Sequence, residues 1–162
     1  MVYNIAEGEK TKIRRISFVG NDKFSDGDLR GIIRTKESAW WRFISSADVY
    51  HPEKVEVDKD LLRKFYLEHG FADFNIVSAV TELSKDKKNF FITFTMHEGP
   101  VYDFGDINVS VAAKEQEIDE GELKTQLTIH SGERYNGRLV EDNIDDLIDY
   151  LGSQGFAFLD VQ

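Results

Sequence analysis

The chain has 162 residues, with 30 acidic side chains against 20 basic ones and a formal net charge of -10. That balance disfavours nucleic acid and anionic lipid as partners, because affinity for phosphate comes mostly from lysine and arginine neutralising it. The lack of cysteine removes disulfides, zinc-finger spacings and thiol catalysis together, while 41% hydrophobic residues suffice for a core without any run near the roughly 20 residues of a membrane helix.

Val2 to Ala6 is expected to be a short strand ending in Glu7-Gly8, with neither the basic start nor the apolar run of a signal peptide. Arg14 to Gly20 sets Ile16 and Phe18 against Arg15 and Ser17, the period of two of a half-buried strand, and Gly20-Asn21 ends it. Ser25 followed by Asp28 has the form of a capping box, so a short helix should run through Leu29, Ile32 and Ile33. Pro52 suits the first turn of the next helix and Gly70 the left-handed position beyond its end, with Val55, Asp58, Leu62, Phe65 and Tyr66 between them. Phe71 to Val80 and Phe90 to His97 are then two strands around a polar turn, an antiparallel hairpin. From Val101 the pattern restarts. Ile107-Asn108-Val109 reads as a strand, Asp119-Glu120-Gly121-Glu122-Leu123 as a helix start, and Val140, Ile144, Leu147, Ile148 and Leu151 as one face of a last helix.

The restart is a repeat. Tyr50-His51-Pro52 through Leu62, Tyr66 and Gly70-Phe71-Ala72 returns 85 residues later as Tyr135-Asn136-Gly137 through Leu147, Leu151 and Gly155-Phe156-Ala157. A fixed repeat means one supersecondary unit used in series, which favours an extended surface over a single catalytic pocket. The module order is strand, helix, helix, strand, strand. The domain reading is a last-strand remnant over 1–10, a complete module over 11–98, and a second module over 99–162 that lacks its final strand.

Chemistry-bearing motifs are scarce. His51, His69, His97 and His130 are scattered without zinc-hydrolase spacing, and Asp142, Asp145, Asp146 and Asp149 lack the glycine and alternating ligands of a calcium loop. Glu115 to Glu122 reads as a solvated acidic loop. No nucleophile elbow or phosphate-binding glycine loop occurs. No enzyme, cofactor or metal is therefore expected. Trp40, Trp41 and Phe43 lie in a connection about nine residues longer than its second-module counterpart, a candidate partner-binding loop or a lid over a small core.

The ordered set of Ile16 to Gly20-Asn21, Trp40-Trp41, Asp58 with Leu62, Tyr66-Leu67, Gly70-Phe71-Ala72, Glu98-Gly99 and Tyr135-Asn136-Gly137 resembles POTRA domains, most nearly the third and fourth of the BamA-type β-barrel assembly factors. The resemblance covers essentially the whole chain. It implies an α+β fold of tandem modules, each with a three-stranded mixed sheet under two helices, in the periplasmic portion of an outer-membrane protein of a Gram-negative bacterium. It further implies neighbouring POTRA domains, a membrane barrel, accessory lipoproteins and unfolded outer-membrane β-barrel proteins as partners, with no nucleic acid.

The strand after Gly70 is an edge in that family. Ala72, Asp73, Phe74, Asn75, Ile76, Val77 and Ser78 are accordingly the expected site at which a client strand adds. The alternative is a spacer or docking pair of a two-partner secretion or other translocation pore without client contact. Lending of the Val2 to Ala6 strand to another copy's second module would give a strand-exchanged oligomer.

Overall fold

The computed structural model describes residues 11–38, 49–111 and 118–156. They fall into two compact units, the first holding 11–38, 49–65 and 73–98, the second 66–72, 99–111 and 118–156. The fold is α+β.

In the first unit β1 (Lys12–Val19), β2 (Asn75–Leu83) and β3 (Asn89–His97) form a sheet in the order β1-β3-β2. β1 runs parallel to β3 and β2 antiparallel to it. The period-two pattern of the strands separates the faces. Ile13, Ile16, Phe18, Ile92, Phe94 and Met96 are buried, as are Leu29 of α1 (Asp26–Ile32), Ile33 at its C-cap, and Val55 and Leu62 of α2 (Pro52–Glu68). Phe18 stacks on Phe94 with ring centroids 5.6 Å apart. Burying such side chains contributes about 1.5–3 kcal/mol each, enough to make this face of the sheet the organising core.

Helix ends follow from local chemistry. Ser25 and Asp28 make the reciprocal capping box, Ser25 Oγ accepting the Asp28 N–H at 3.2 Å and Asp28 Oδ2 accepting the Ser25 N–H at 3.0 Å. At the other end of α1, Lys36 Nζ donates to the Arg30 and Ile33 carbonyls at 2.5 and 2.6 Å, placing a cation on the negative end of the helix. Pro52 opens α2 as expected.

The α2 terminus displaces the next strand from its expected start. Gly70 takes φ +94° and the Phe71 N–H closes back on the Tyr66 carbonyl at 3.0 Å. Phe71 and Phe74 are then turned inward and buried, Ala72 and Asp73 form a turn, and β2 begins only at Asn75 and runs on to Leu83.

In the second unit α3 (Glu120–Gln126) and α4 (Gly137–Ser153) pack around Leu123, Leu147 and Leu151. Asp119 is the N-cap of α3, accepting the Gly121 N–H at 2.8 Å, so Glu120 to Glu122 are its first turn and not a loop. Asn136 caps α4, and the Phe156 N–H reaches the Leu151 carbonyl at 3.1 Å, the counterpart of the Phe71 bond to Tyr66. Ile148 sits at the rim of the α4 apolar face, 37% exposed, because it stands about 100° from Leu147 on the helix. Ile107 to Val109 form no strand: no neighbouring strand pairs with them among the described residues. Backbone pairing here links Tyr102 with Gly70 and Tyr135, at 2.8 and 3.0 Å.

Candidate functional site: an open sheet edge

The sheet of the first unit has two edges, and they are treated differently. The outer side of β1 is covered from Lys12 to Ile16. Ser38 donates its N–H to the Ile13 carbonyl at 2.7 Å, Glu37 Oε1 accepts the Ile16 N–H at 2.8 Å, and Arg30 Nη1 donates to the Ile16 carbonyl at 3.0 Å. Val49 adds an antiparallel bridge at Lys12. β1 also carries Lys12, Arg14 and Arg15, charges of the kind that discourage further pairing.

The outer side of β2 has none of these devices among the described residues. Nothing pairs beyond it in the sheet order, and its sequence Asn-Ile-Val-Ser-Ala-Val-Thr-Glu-Leu holds no lysine, arginine or proline. Val77, Val80 and Leu83 are 64%, 49% and 47% exposed.

The phase of the ladder decides which backbone groups are available. Ser84 donates to the Asn89 carbonyl at 2.8 Å, and Lys12 donates to the Lys88 carbonyl at 3.1 Å, so Phe90 directs its polar backbone groups toward β1 and Phe91 toward β2. With Glu82 opposite Phe91 and Val80 opposite Thr93, the N–H and C=O of Glu82 and Val80 point inward. Those of Ala79, Thr81 and Leu83 point to the open side. A register shift between Ile76 and Ser78 puts Val77 in a bulge and interrupts the regular edge there.

The structure therefore distributes the seven expected edge residues over three environments. Ala72 and Asp73 are in the turn, Phe74 is in the core, and Asn75, Ile76, Val77 and Ser78 lie in β2 at and before the bulge. The regular part of the free edge, Ala79 to Leu83, lies beyond those seven residues, because the expected strand, Phe71 to Val80, begins four residues before β2 and ends three before it. The signal that could have found it was the Tyr66 to Phe71 cap geometry, which consumes the residues after Gly70. Trp40, Trp41 and Phe43 lie outside the described residues, as do Val2 to Ala6.

Electrostatics around the edge are simple. Glu82 is the one charged residue of β2. The hairpin turn carries Lys85, Lys87 and Lys88, with the Asp86 carboxylate held below its usual range by hydrogen bonds from the Ser84 hydroxyl and the Lys88 N–H. Among the described residues no three His, Cys, Asp or Glu side chains are grouped to hold a metal ion.

A β-α-α-β-β unit whose sheet has, among the described residues, one covered and one free edge, followed by a second unit with a pair of N-capped helices, defines a tandem-repeat α+β scaffold. The family model for POTRA, described as surface antigen variable number repeat, matches residues 11–99 and again 102–162. The chain belongs to the POTRA family.

It is 34% identical over 157 residues to the outer membrane protein assembly factor BamA of Neorickettsia risticii, covering 97% of this chain and 21% of that protein. Against BamA of Neisseria meningitidis serogroup B it is 27% identical over 157 residues, covering 97% of this chain and 19% of that protein. The chain thus spans about a fifth of the length of these curated relatives. The crystal structure of Haemophilus influenzae BamA POTRA3-5 shares the fold with a TM-score of 0.68 at 21% identity, covering 89% of this chain and 55% of that one.

Proposed function

We propose that this chain is a periplasmic scaffold segment of an outer-membrane protein assembly factor, and that it holds unfolded β-barrel clients by adding their strands to the β2 edge. The observation that carries the reading is the asymmetry of the sheet: β1 is capped on its outer side from Lys12 to Ile16, while Ala79, Thr81 and Leu83 present three N–H and three C=O groups without a partner strand among the described residues. Backbone pairing reads extension rather than side-chain identity, which suits a factor handling many β-rich clients. The relatives' names, as outer membrane protein assembly factors, support the same role. In this reading the partners are neighbouring POTRA domains, the membrane barrel of the same protein and accessory lipoproteins, and the chain acts by recognition rather than catalysis.

At about 0.5–1.5 kcal/mol net per hydrogen bond, a full complement yields only several kcal/mol before the client's ordering is subtracted. Free affinity is then on the order of 0.1–1 mM or weaker, appropriate to handover.

The test is an NMR titration of the isotope-labelled chain with an unfolded peptide from a β-barrel strand. Shifts should concentrate at Ala79, Thr81 and Leu83 and be lost with Thr81→Pro, which removes an outward N–H without breaking a β2–β3 bond. No shifts at millimolar peptide would replace client capture with a spacer or docking role.

A further inference from the structure

The free edge carries side-chain information as well as backbone groups. Across the sheet, residues directly opposite share a face, so two sets of rows reach the β2 edge. On the face toward the helices the rows are Phe18-Phe94-Ala79, Ile16-Ile92-Thr81 and Ile13-Phe90-Leu83. On the opposite face they are Ser17-Thr93-Val80 and Arg15-Phe91-Glu82. A strand added outside β2 extends each row by one residue, about 4.5–5.5 Å from its β2 neighbour between Cβ atoms.

The helix-side rows are apolar inward and end at Ala79, Thr81 and half-exposed Leu83; with Ala79 and Leu83 apolar at the edge, apolar residues extend this face best. The other face ends at exposed Val80 and at the exposed Glu82 carboxylate, whose side chain has no hydrogen-bond or ion-pair partner among the described residues. Other charges face the same region from further away. Arg15 stands two strands across, roughly 9–10 Å at normal strand spacing, and Lys85, Lys87 and Lys88 lie three or more residues along the hairpin, at least about 10 Å. Those separations are about one Debye length at 0.1–0.15 M salt, whereas a residue directly opposite Glu82 lies well inside it.

We infer that Glu82 is a specificity residue of the edge, selecting extended client segments with apolar residues on one face and a lysine or arginine across from Glu82 on the other. This rests on the strand-addition reading above. Cross-strand charge pairs bias pairing modestly, so the selection ranks clients and aligns their register without excluding any of them.

The experiment uses two ten-residue amphipathic peptides, identical except for one lysine or one glutamate amid threonines on the polar face. They are titrated into the full chain at low salt with the Ala79, Thr81 and Leu83 amides followed by NMR. The lysine peptide should bind about two- to fivefold tighter to the wild type, equally with Glu82→Gln, and more weakly than the glutamate peptide with Glu82→Lys. The wild-type preference should fade in 0.5 M salt. Equal binding of both peptides by the wild type overturns the role of Glu82 and leaves strand addition standing. Binding of neither overturns strand addition itself, and the selection with it.

Discussion

Asp58 and Asn143, 85 residues apart, make the same bond in the two units: Asp58 Oδ1 accepts the Arg34 N–H at 2.7 Å, and Asn143 Oδ1 accepts the Thr128 N–H at 2.6 Å. Both side chains are buried. Each stands on the second helix of its unit and fixes the segment that leaves the first. In the first unit that segment continues into Glu37 and Ser38, which cover the β1 edge. A buried polar residue on a helix thus helps decide which sheet edge stays free.

Asp58→Ala should cost about 2–4 kcal/mol, because the Arg34 and Thr35 N–H groups that Asp58 accepts lose their acceptor. Asp58→Asn should stay within about 1 kcal/mol of the wild type. Asn143 already plays this part with an amide that also donates to Thr128 Oγ1 at 2.8 Å, and the Thr35 hydroxyl oxygen is buried without a partner among the described residues. Urea denaturation of the three proteins checks the order.

Gly20→Ala should destabilise by about 2–5 kcal/mol, combining left-handed backbone strain with a steric clash. Gly20 has φ +87°, and a Cβ there would lie 2.2 Å from the Met96 carbonyl oxygen. Gly132 has φ +84° with nothing within 4 Å of an added Cβ, so Gly132→Ala isolates the backbone part at about 1–2 kcal/mol. Thermal melts of both variants separate the two contributions.

Val80→Pro and Thr81→Pro should differ although they are adjacent. The Val80 N–H faces Thr93 in the ladder, so proline there breaks a sheet bond and should cost about 3 kcal/mol or more. Thr81 faces outward, and its variant should keep the β3 amide protection of the wild type in hydrogen exchange.

The Asp28 carboxyl is held below its ordinary value of 3.8, first by the Ser25 hydroxyl and then by the Ser25 N–H. A depressed folded-state pKa stabilises above the unfolded value and ceases to do so as pH falls through the folded one. The gap in urea midpoint between wild type and Asp28→Asn should therefore be present at pH 7 and close below about pH 4. A constant gap from pH 7 to pH 2.5 would contradict this.

Much of the architecture follows from residue order alone. The periods of Ile16 with Phe18 and of Leu147 with Leu151, the Ser25–Asp28 box, Pro52 and the two Gly-Phe-Ala sequences are local signals, and local sterics and hydrogen bonding enforce them wherever the chain goes. They determined the module order, the helix starts and the repeat, and the family model's two matches agree with that repeat. The tertiary structure decided where β2 begins, because the cap that returns Phe71 to Tyr66 also draws Phe74 into the core. It alone decided which backbone groups face outward, since ladder phase depends on partners far along the chain, Lys12 with Lys88 and Ser84 with Asn89. It alone also covered the β1 edge at Ile13 and Ile16 with Ser38 and Glu37, leaving β2 open among the described residues. An edge is a property of what a strand lacks beside it, and that is set by packing rather than by the strand's own residues.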